Sequence, residues 1–230
     1  MQLNTGISIK KAGYAAWYIF LLYFTYLMLL ITLQYIPARL GVAFLITKED
    51  VTGLLYYRIA FFAHVYTGIF VLIAGMLQFP AIIRNKYPKL HRRSGWVYAF
   101  LIILVTGPAG LIMGIYGNGG LISQSAFCIL ALLWIFFTLK AVLAARARQF
   151  AVHKAWMYRS YALTLSAISL RLWRWIFVLL FQPKPMDVYH VVSWLGWMGN
   201  LLIAELIIYF AIMKPKSNSS TETYEVSETS

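Results

Sequence analysis

Charge is scarce in this chain of 230 residues: 12% are Asp, Glu, Lys or Arg, against 61% hydrophobic. A soluble domain carries roughly 25% charged and 45–50% apolar residues. A chain of this size has too little interior to hide such a surplus from water, which excludes a soluble globular enzyme. Acid is scarcer still, with 7 Asp and Glu against 20 Lys and Arg and a net charge of +13. In so apolar a chain that excess reads as membrane topology and attraction to anionic headgroups, and it excludes a nucleic-acid surface. A single cysteine, Cys128, sits inside an apolar run and excludes a disulfide scaffold. Gly-x-Ser-x-Gly, His-Glu-x-x-His and paired carboxylates are all missing, so hydrolysis has no residues to run on. If the chain is an enzyme at all, it is a membrane redox component.

What is present is a series of long charge-free stretches. None of the four charged residue types lies between Lys11 and Arg39, between Arg58 and Arg84, or between Arg93 and Lys140. A crossing helix needs about 20 apolar residues. The third stretch holds two helices, split by the turn-forming Gly117-Asn118-Gly119-Gly120. Gln182-Pro183-Lys184-Pro185 separates a fifth helix from a sixth. The fold class expected is all-α, an integral membrane bundle of six helices spanning about 14–35, 58–83, 96–116, 121–143, 158–181 and 189–213. The division expected is a terminus over 1–13, a membrane domain over 14–213 and a disordered polar tail over 214–230. The first apolar segment is too long for a cleaved signal and has no small-residue site after it, so it should remain as the first span.

Lys and Arg placement orients the bundle. With the N-terminus inside, fourteen of the 20 basic residues face the cytoplasm. They are Lys10, Lys11, Arg84, Lys86, Lys89, Arg92, Arg93, Lys140, Arg146, Arg148, Lys154, Arg159, Lys214 and Lys216. Both termini are then cytoplasmic, and the expected location is a bacterial inner (plasma) membrane. The partners expected are the lipid bilayer and a small-molecule ligand or redox partner, with no nucleic acid.

Ionisable groups inside hydrocarbon cost roughly 2.5–3.5 kcal/mol and usually turn inward to a partner. Here they are His64, Arg171, Arg174 and Glu205, with His190 near an outer end and Gln78, Thr106, Thr164 and Asn200 as neutral helpers. Stripes at helical spacing run through His64-Gly68-Val71-Gly75-Gln78, through Ser160-Thr164-Ala167-Arg171-Arg174 and through His190-Trp194-Trp197-Leu201-Glu205. They are packing faces, the lining of a shared cavity, or both. At about 1.5 Å per residue, one layer gathers His64, Arg171 and Arg174, with His190 as a further candidate member, and a lower one Glu205 and Gln78. Arg171 can snorkel outward or pair with Glu205 across a level difference of about 8 Å.

The four histidines fall two toward each face: His64 and His190 outside, His91 and His153 inside. Metal is not expected at His91 and His153, because no cytoplasmic loop supplies an acid beside them, whereas His64 and His190 could recruit Glu49, Asp50 or Asp187 on the outside. Haem b is the candidate cofactor, with His64, His91, His153 and His190 as axial ligands. Arg92, Arg171 and Arg174 would then serve as propionate or anion partners. The bland alternative makes His91 and His153 interfacial hydrogen-bonding groups and His64 a satisfied bundle histidine.

Several motifs in order carry a resemblance. They are His64 with Gly68, Gly75 with Gln78-Phe79, Arg84, and Pro88-x-Leu90-His91-Arg92-x-x-Gly95-x-x-Tyr98. Gly119-Gly120, Trp134 and Thr138 follow, then His153-x-x-Trp156-Met157-x-Arg159-Ser160-Tyr161-Ala162-Leu163-Thr164 running on to Leu170-Arg171-Leu172. Trp194, Trp197, Asn200 and Glu205 close the series. Over about residues 58–208 the chain resembles the predicted bacterial membrane proteins of domain-of-unknown-function family 2306, with Lys154 where that family usually has Arg. The resemblance implies a multi-span membrane protein with His64, His91, His153, Arg159, Arg171 and Glu205 as its polar signature. Two activities follow as expectations. The first is a haem-b electron-transfer protein. The second is a small-molecule or anion transporter or binding protein using His64, Arg171, Arg174 and Glu205, with Gln78, Arg159 and Asn200 as further intramembrane polar groups. A structural or assembly component is a third reading.

Overall fold

The computed structural model describes residues 3–213, with side chains over 12–212 apart from Pro185. The tail expected over 214–230, with Lys214 and Lys216, lies outside the described residues, as do the side chains of Lys10 and Lys11. In chain order the helices are α1 Leu3–Leu33, a 3-10 segment Ala43–Lys48, α2 Glu49–Thr52 and α3 Leu55–Met76. Next come α4 Ala81–Lys86, α5 Pro88–Phe100, a π-helical stretch Leu101–Thr106, α6 Gly107–Ile115 and α7 Gly120–Arg146. The series ends with α8 Phe150–Thr164, α9 Ser166–Phe181, α10 Pro185–Ile208 and a second π-helical stretch Tyr209–Met213. Among the described residues there is no strand.

Five helices are long and apolar enough to cross a bilayer: Ala12–Leu33, Leu55–Met76, Pro88–Ile115, Gly120–Arg146 and Met186–Ile212. The bent pair Phe150–Thr164 and Ser166–Phe181 makes a sixth when counted as one span. The second helix stops at Met76, seven residues short of the expected end, because Pro80 interrupts the chain before α4. The third begins eight residues early. Pro88 supplies the first helical position, where a missing N–H does no harm, and Lys89, Arg92 and Arg93 belong to the helix. Charge ended the hydrocarbon-buried part there without ending the helix.

Two breaks shape the interior. The Gly107 N–H bonds the Ile102 carbonyl, five residues back, which closes the widened turn. A Cβ at position 107 would stand 2.3 Å from that oxygen, so only glycine fits. The second break is the 42° bend between α8 and α9. There the Thr164 hydroxyl donates to Ser160 O at 3.1 Å and the Ser169 hydroxyl to Leu165 O at 3.2 Å. Such back-bonding competes with the helix ladder and bends it.

The bend decides what fills the middle of the bundle. α8 packs on α7, α10 and α3, at the centre of the half carrying the basic loops. Beyond the bend α9 leans onto α10, which with the end of α8 forms its close backbone neighbourhood. The far half is filled differently, by a cluster of Tyr35, Leu45, Val51, Tyr57 and Phe61 and by a smaller one in which Ile168 of α9 meets Met28, Ile69 and Leu72. In the basic half a dense core joins Tyr98, Ile102, Trp134, Phe137, Met157, Tyr161, Leu163 and Trp197. Gly75 permits it, because a Cβ there would lie 2.5 Å from the Tyr161 ring and 2.7 Å from that of Tyr98. α1 stands at the edge, with 11% of its most apolar window buried.

Candidate functional site

Three polar assemblies occupy the helical interior. The first lies in the far half, where α3 faces α6 and α9. His64 Nδ1 is 2.9 Å from Thr106 O at the end of the π-helical stretch. A carbonyl only accepts, so Nδ1 carries a proton and Nε2 is left for another partner. The ring reaches that carbonyl because residue 110 is glycine, and a Cβ there would meet it at 3.1 Å. Thr67 Oγ1 adds a contact of 2.8 Å to the fully buried Thr106 Oγ1. Arg171 on α9 is close enough to His64 for their charges to interact, and it feels Tyr35, Tyr189 and Arg174 as well. The Arg174 guanidinium lies 5.6 Å from the centre of the Tyr189 ring.

Arg171 departs from both expectations. It does not snorkel outward. Its Nη1 donates to Ala167 O at 2.7 Å, one turn back toward the middle of the bundle, the direction in which helical side chains lean. Nor does it pair with Glu205. Arg171 is exposed, and Ala167 O is the hydrogen-bond acceptor its guanidinium meets. Over Gly68, one turn from His64, a Cβ would meet nothing within 4 Å. The fifth span thus brings two guanidinium groups near the His64 imidazole, with open space over Gly68 one turn away.

The second assembly joins α5, α7 and α8. Tyr98 Oη lies 2.8 Å from both Ser160 Oγ and Thr164 Oγ1. Trp134 Nε1 donates to Thr164 Oγ1 at 3.0 Å, and Thr138 Oγ1 is 2.7 Å from Ser160 Oγ. Below it, Gln78 Nε2 donates to Ser94 Oγ at 2.7 Å and to the His91 carbonyl at 3.3 Å. Gly95 makes room, since a Cβ there would stand 3.0 Å from Gln78 Oε1. Gln78 therefore ties the end of α3 to α5, while its neighbour Phe79 packs on Tyr158 and Tyr161 at the level of Arg159 and Glu205. A search for ionisable groups passes over this cluster. The signal that finds it is hydroxyl and indole residues at i, i+4 spacing, 134 with 138 and 160 with 164.

The third assembly sits at the basic end. Arg159 Nε donates to Glu205 Oε1 at 2.5 Å and Nη2 to Oε2 at 2.8 Å, a bidentate pair. This is the single ion pair among the described residues. It replaces the expected Arg171–Glu205 pair, because Arg159 already stands at the level of Glu205 and no helix depth has to be bridged. The Arg159 guanidinium also lies 4.7 Å from the centre of the Trp156 ring. Asn200, one turn up α10, donates to Ala162 O at 3.1 Å and accepts from the Ser169 hydroxyl at 2.9 Å. It thereby straps the bend from both sides.

The histidines do not form two facing pairs. His153 Nδ1 is 2.9 Å from Ala141 O, and His91 lies close enough to His153 for their charges to interact. His91 Nδ1 is buried without a hydrogen-bond partner among the described residues. Arg92, beside it on α5, is exposed. At the far end His190 is separated from His64. It lines a cleft of about 490 Å³ with Lys48, Asp50, Asn118, Gln124 and the Gly119-Gly120 turn. Lys48, 5% exposed, donates to Tyr116 O there, and burial lowers its pKa from the usual lysine value against a smaller raising effect of Asp50. Among the described residues no three His, Cys, Asp or Glu side chains gather as a metal site would require.

Long apolar helices with a polar interior define a multi-span helical membrane protein. Residues 61–208 match the family described as "Predicted membrane protein (DUF2306)", and the chain belongs to that family. No curated protein and no solved structure matches it.

Proposed function

We propose that this membrane protein binds a small anion in a crevice between His64 and Arg171. The observation that carries the reading is Arg171, at mid-depth on a membrane-spanning helix and beside His64, with no carboxylate partner among the described residues. Glu205 is engaged by Arg159, and Glu49, Asp50 and Asp187 belong to the far-end loops and helix start. An uncompensated guanidinium at mid-depth is unfavourable by itself, and an anion relieves that. Arg171 offers the donors that Ala167 leaves free, and Arg174 adds positive potential. His64 is oriented by Thr106, so its Nε2 meets the ligand as an acceptor when neutral or a donor when protonated. The basic end is read as cytoplasmic and the bilayer as a bacterial inner membrane. The proposed domain is the helical body over 14–213, flanked by a short terminus over 1–13 and a polar tail over 214–230.

The test is thermal unfolding of the protein in phosphatidylcholine nanodiscs against sulfate, phosphate, acetate and short carboxylates. At least one should raise the midpoint, and Arg171→Gln should abolish the shift while Arg84→Gln keeps it. A midpoint indifferent to every anion would overturn the reading.

A second reading has its own observation. His153, with Nδ1 on Ala141 O and His91 nearby, is oriented as iron-ligating histidines are. A single haem b at the basic end would serve electron transfer, with His91 and His153 as its ligands and Arg92 near a propionate. Purified protein from haem-replete cells would then show a Soret band lost in His153→Ala, whereas a colourless preparation removes this reading.

A further inference from the structure

The crevice also says what kind of anion it takes. This inference rests on the anion-binding reading above and names its ligand class. Three features bear on it, the first being depth. Arg171 lies ten residues before the end of α9 at Phe181, about 15 Å along the helix and so near the middle of a bilayer about 30 Å thick. Its side chain reaches further inward, to Ala167. A fully hydrated ion would have to shed its water to arrive there.

The second feature is the wall. On the far-end side of Arg171 the residues of α9 that share its face are Arg174, Trp175 and Val178, all exposed, with Trp175 at 64%. Toward the far end the approach to the guanidinium groups is thus an aromatic and aliphatic surface. The opposite face of α9 is engaged with α10, where Leu170 packs on Gly196 and Ser169 bonds Asn200.

The third feature is the route. α9 has its close backbone neighbours in α10 and the end of α8, and Ile168 packs on Ile69 and Leu72 of α3 and on Met28 of α1. The side toward α3 is therefore closed at Ile168 and open only on the far-end side of it, where Gly68 has empty space over it. A cation at mid-depth, an apolar approach and a side opening fit a molecule already dissolved in the bilayer.

We infer that the ligand is an amphipathic acid of long-chain carboxylate type. It enters sideways from the lipid between α9 and α3, its carboxylate on Arg171 and its chain along Trp175 and Val178. No bond is made or broken in this step. The acid exchanges bilayer for crevice, and its charge is neutralised by the guanidinium.

Trp175 is a built-in reporter. The probes are a dibrominated long-chain fatty acid and its dibrominated alcohol of equal length, titrated into phosphatidylcholine nanodiscs at mildly alkaline pH. Bromine quenches indole on contact, and the Trp175 signal is the difference between the native protein and Trp175→Phe. The acid should quench at concentrations about tenfold lower than the alcohol, and Arg171→Gln should bring the two curves together. Equal quenching by acid and alcohol, or a difference that survives Arg171→Gln, overturns the inference. If sulfate or acetate still shifts the unfolding midpoint through Arg171, the anion site then stands with a water-soluble ligand. If they do not, both readings fall.

Discussion

The pairing of Arg159 with Glu205 can be weighed by a double-mutant cycle. Two contacts of 2.5 and 2.8 Å join the groups, whose side chains are 20% and 45% exposed. A fully buried pair that loses one partner costs about 3–5 kcal/mol, and an exposed pair is worth about 0–1. The half-exposed carboxylate puts this pair nearer the lower figure, at about 1–2 kcal/mol for each single variant. Glu205→Gln should be the milder of the two, because Arg159 keeps its contact with the Trp156 ring. Arg159→Gln leaves a carboxylate beside the bundle with no counter-charge. Arg159→Gln, Glu205→Gln and the double variant would be measured by reversible unfolding in mixed micelles, giving a coupling energy of about 1 kcal/mol. The cycle of Arg171→Gln with Glu205→Gln should be additive. Coupling in the second cycle and none in the first would refute the assignment and restore the pairing expected from depth alone.

Other outcomes follow from single residues. Gly110→Ala pushes a Cβ to 3.1 Å from the His64 ring; the fold should persist while anion-induced stabilisation in nanodiscs weakens. Gly75→Ala puts a Cβ within 2.5 Å of the Tyr161 ring, and overpacking of this kind should lower stability by about 1–3 kcal/mol in the same unfolding assay. Asn200→Ala leaves Ala162 O and the Ser169 hydroxyl without their strap. It should cost about 1–2 kcal/mol and raise hydrogen exchange at the residues around Leu165 before any other part of the fifth span. Tyr98→Phe removes the hydroxyl shared by Ser160 and Thr164 and should cost about 1 kcal/mol without changing anion binding.

The spans were legible because lipid imposes a length and an apolar composition that charge-free runs display directly. Break positions were legible where glycine or proline marks them, as at Gly119-Gly120 and at Gln182-Pro183-Lys184-Pro185. The bend at Leu165 was not, since no proline or glycine stands there. It comes from Thr164 and Ser169 bonding back to their own helix, and from the Asn200 strap, which joins residues 31 and 38 positions apart. Depth counting grouped His64 with Arg171, which the structure brings within charge range of each other, yet it misassigned the partner of Glu205. Counting residues gives a height along the membrane and no bearing around the bundle, so it cannot tell which helix α10 faces. The hydroxyl cluster around Tyr98 was invisible to a reading keyed to charge, although each member lies in the motif series that carries the family resemblance. The four histidines were equally legible as residues and illegible as pairs, because their backbone carbonyl partners, Thr106 and Ala141, carry no side-chain signature for that role.

The sign of the potential in the crevice is the quantity on which the account turns. With Cys128→Ser as background, Gly68→Cys places one thiol where the structure has open space, a turn from His64. Its reaction rates with a sulfonate thiol reagent and with a quaternary-ammonium reagent of like size, each divided by the rate for a free thiol, measure that potential. The account predicts several-fold preference for the anionic reagent, lost in Arg171→Gln. Equal rates, or preference for the cation, would contradict it.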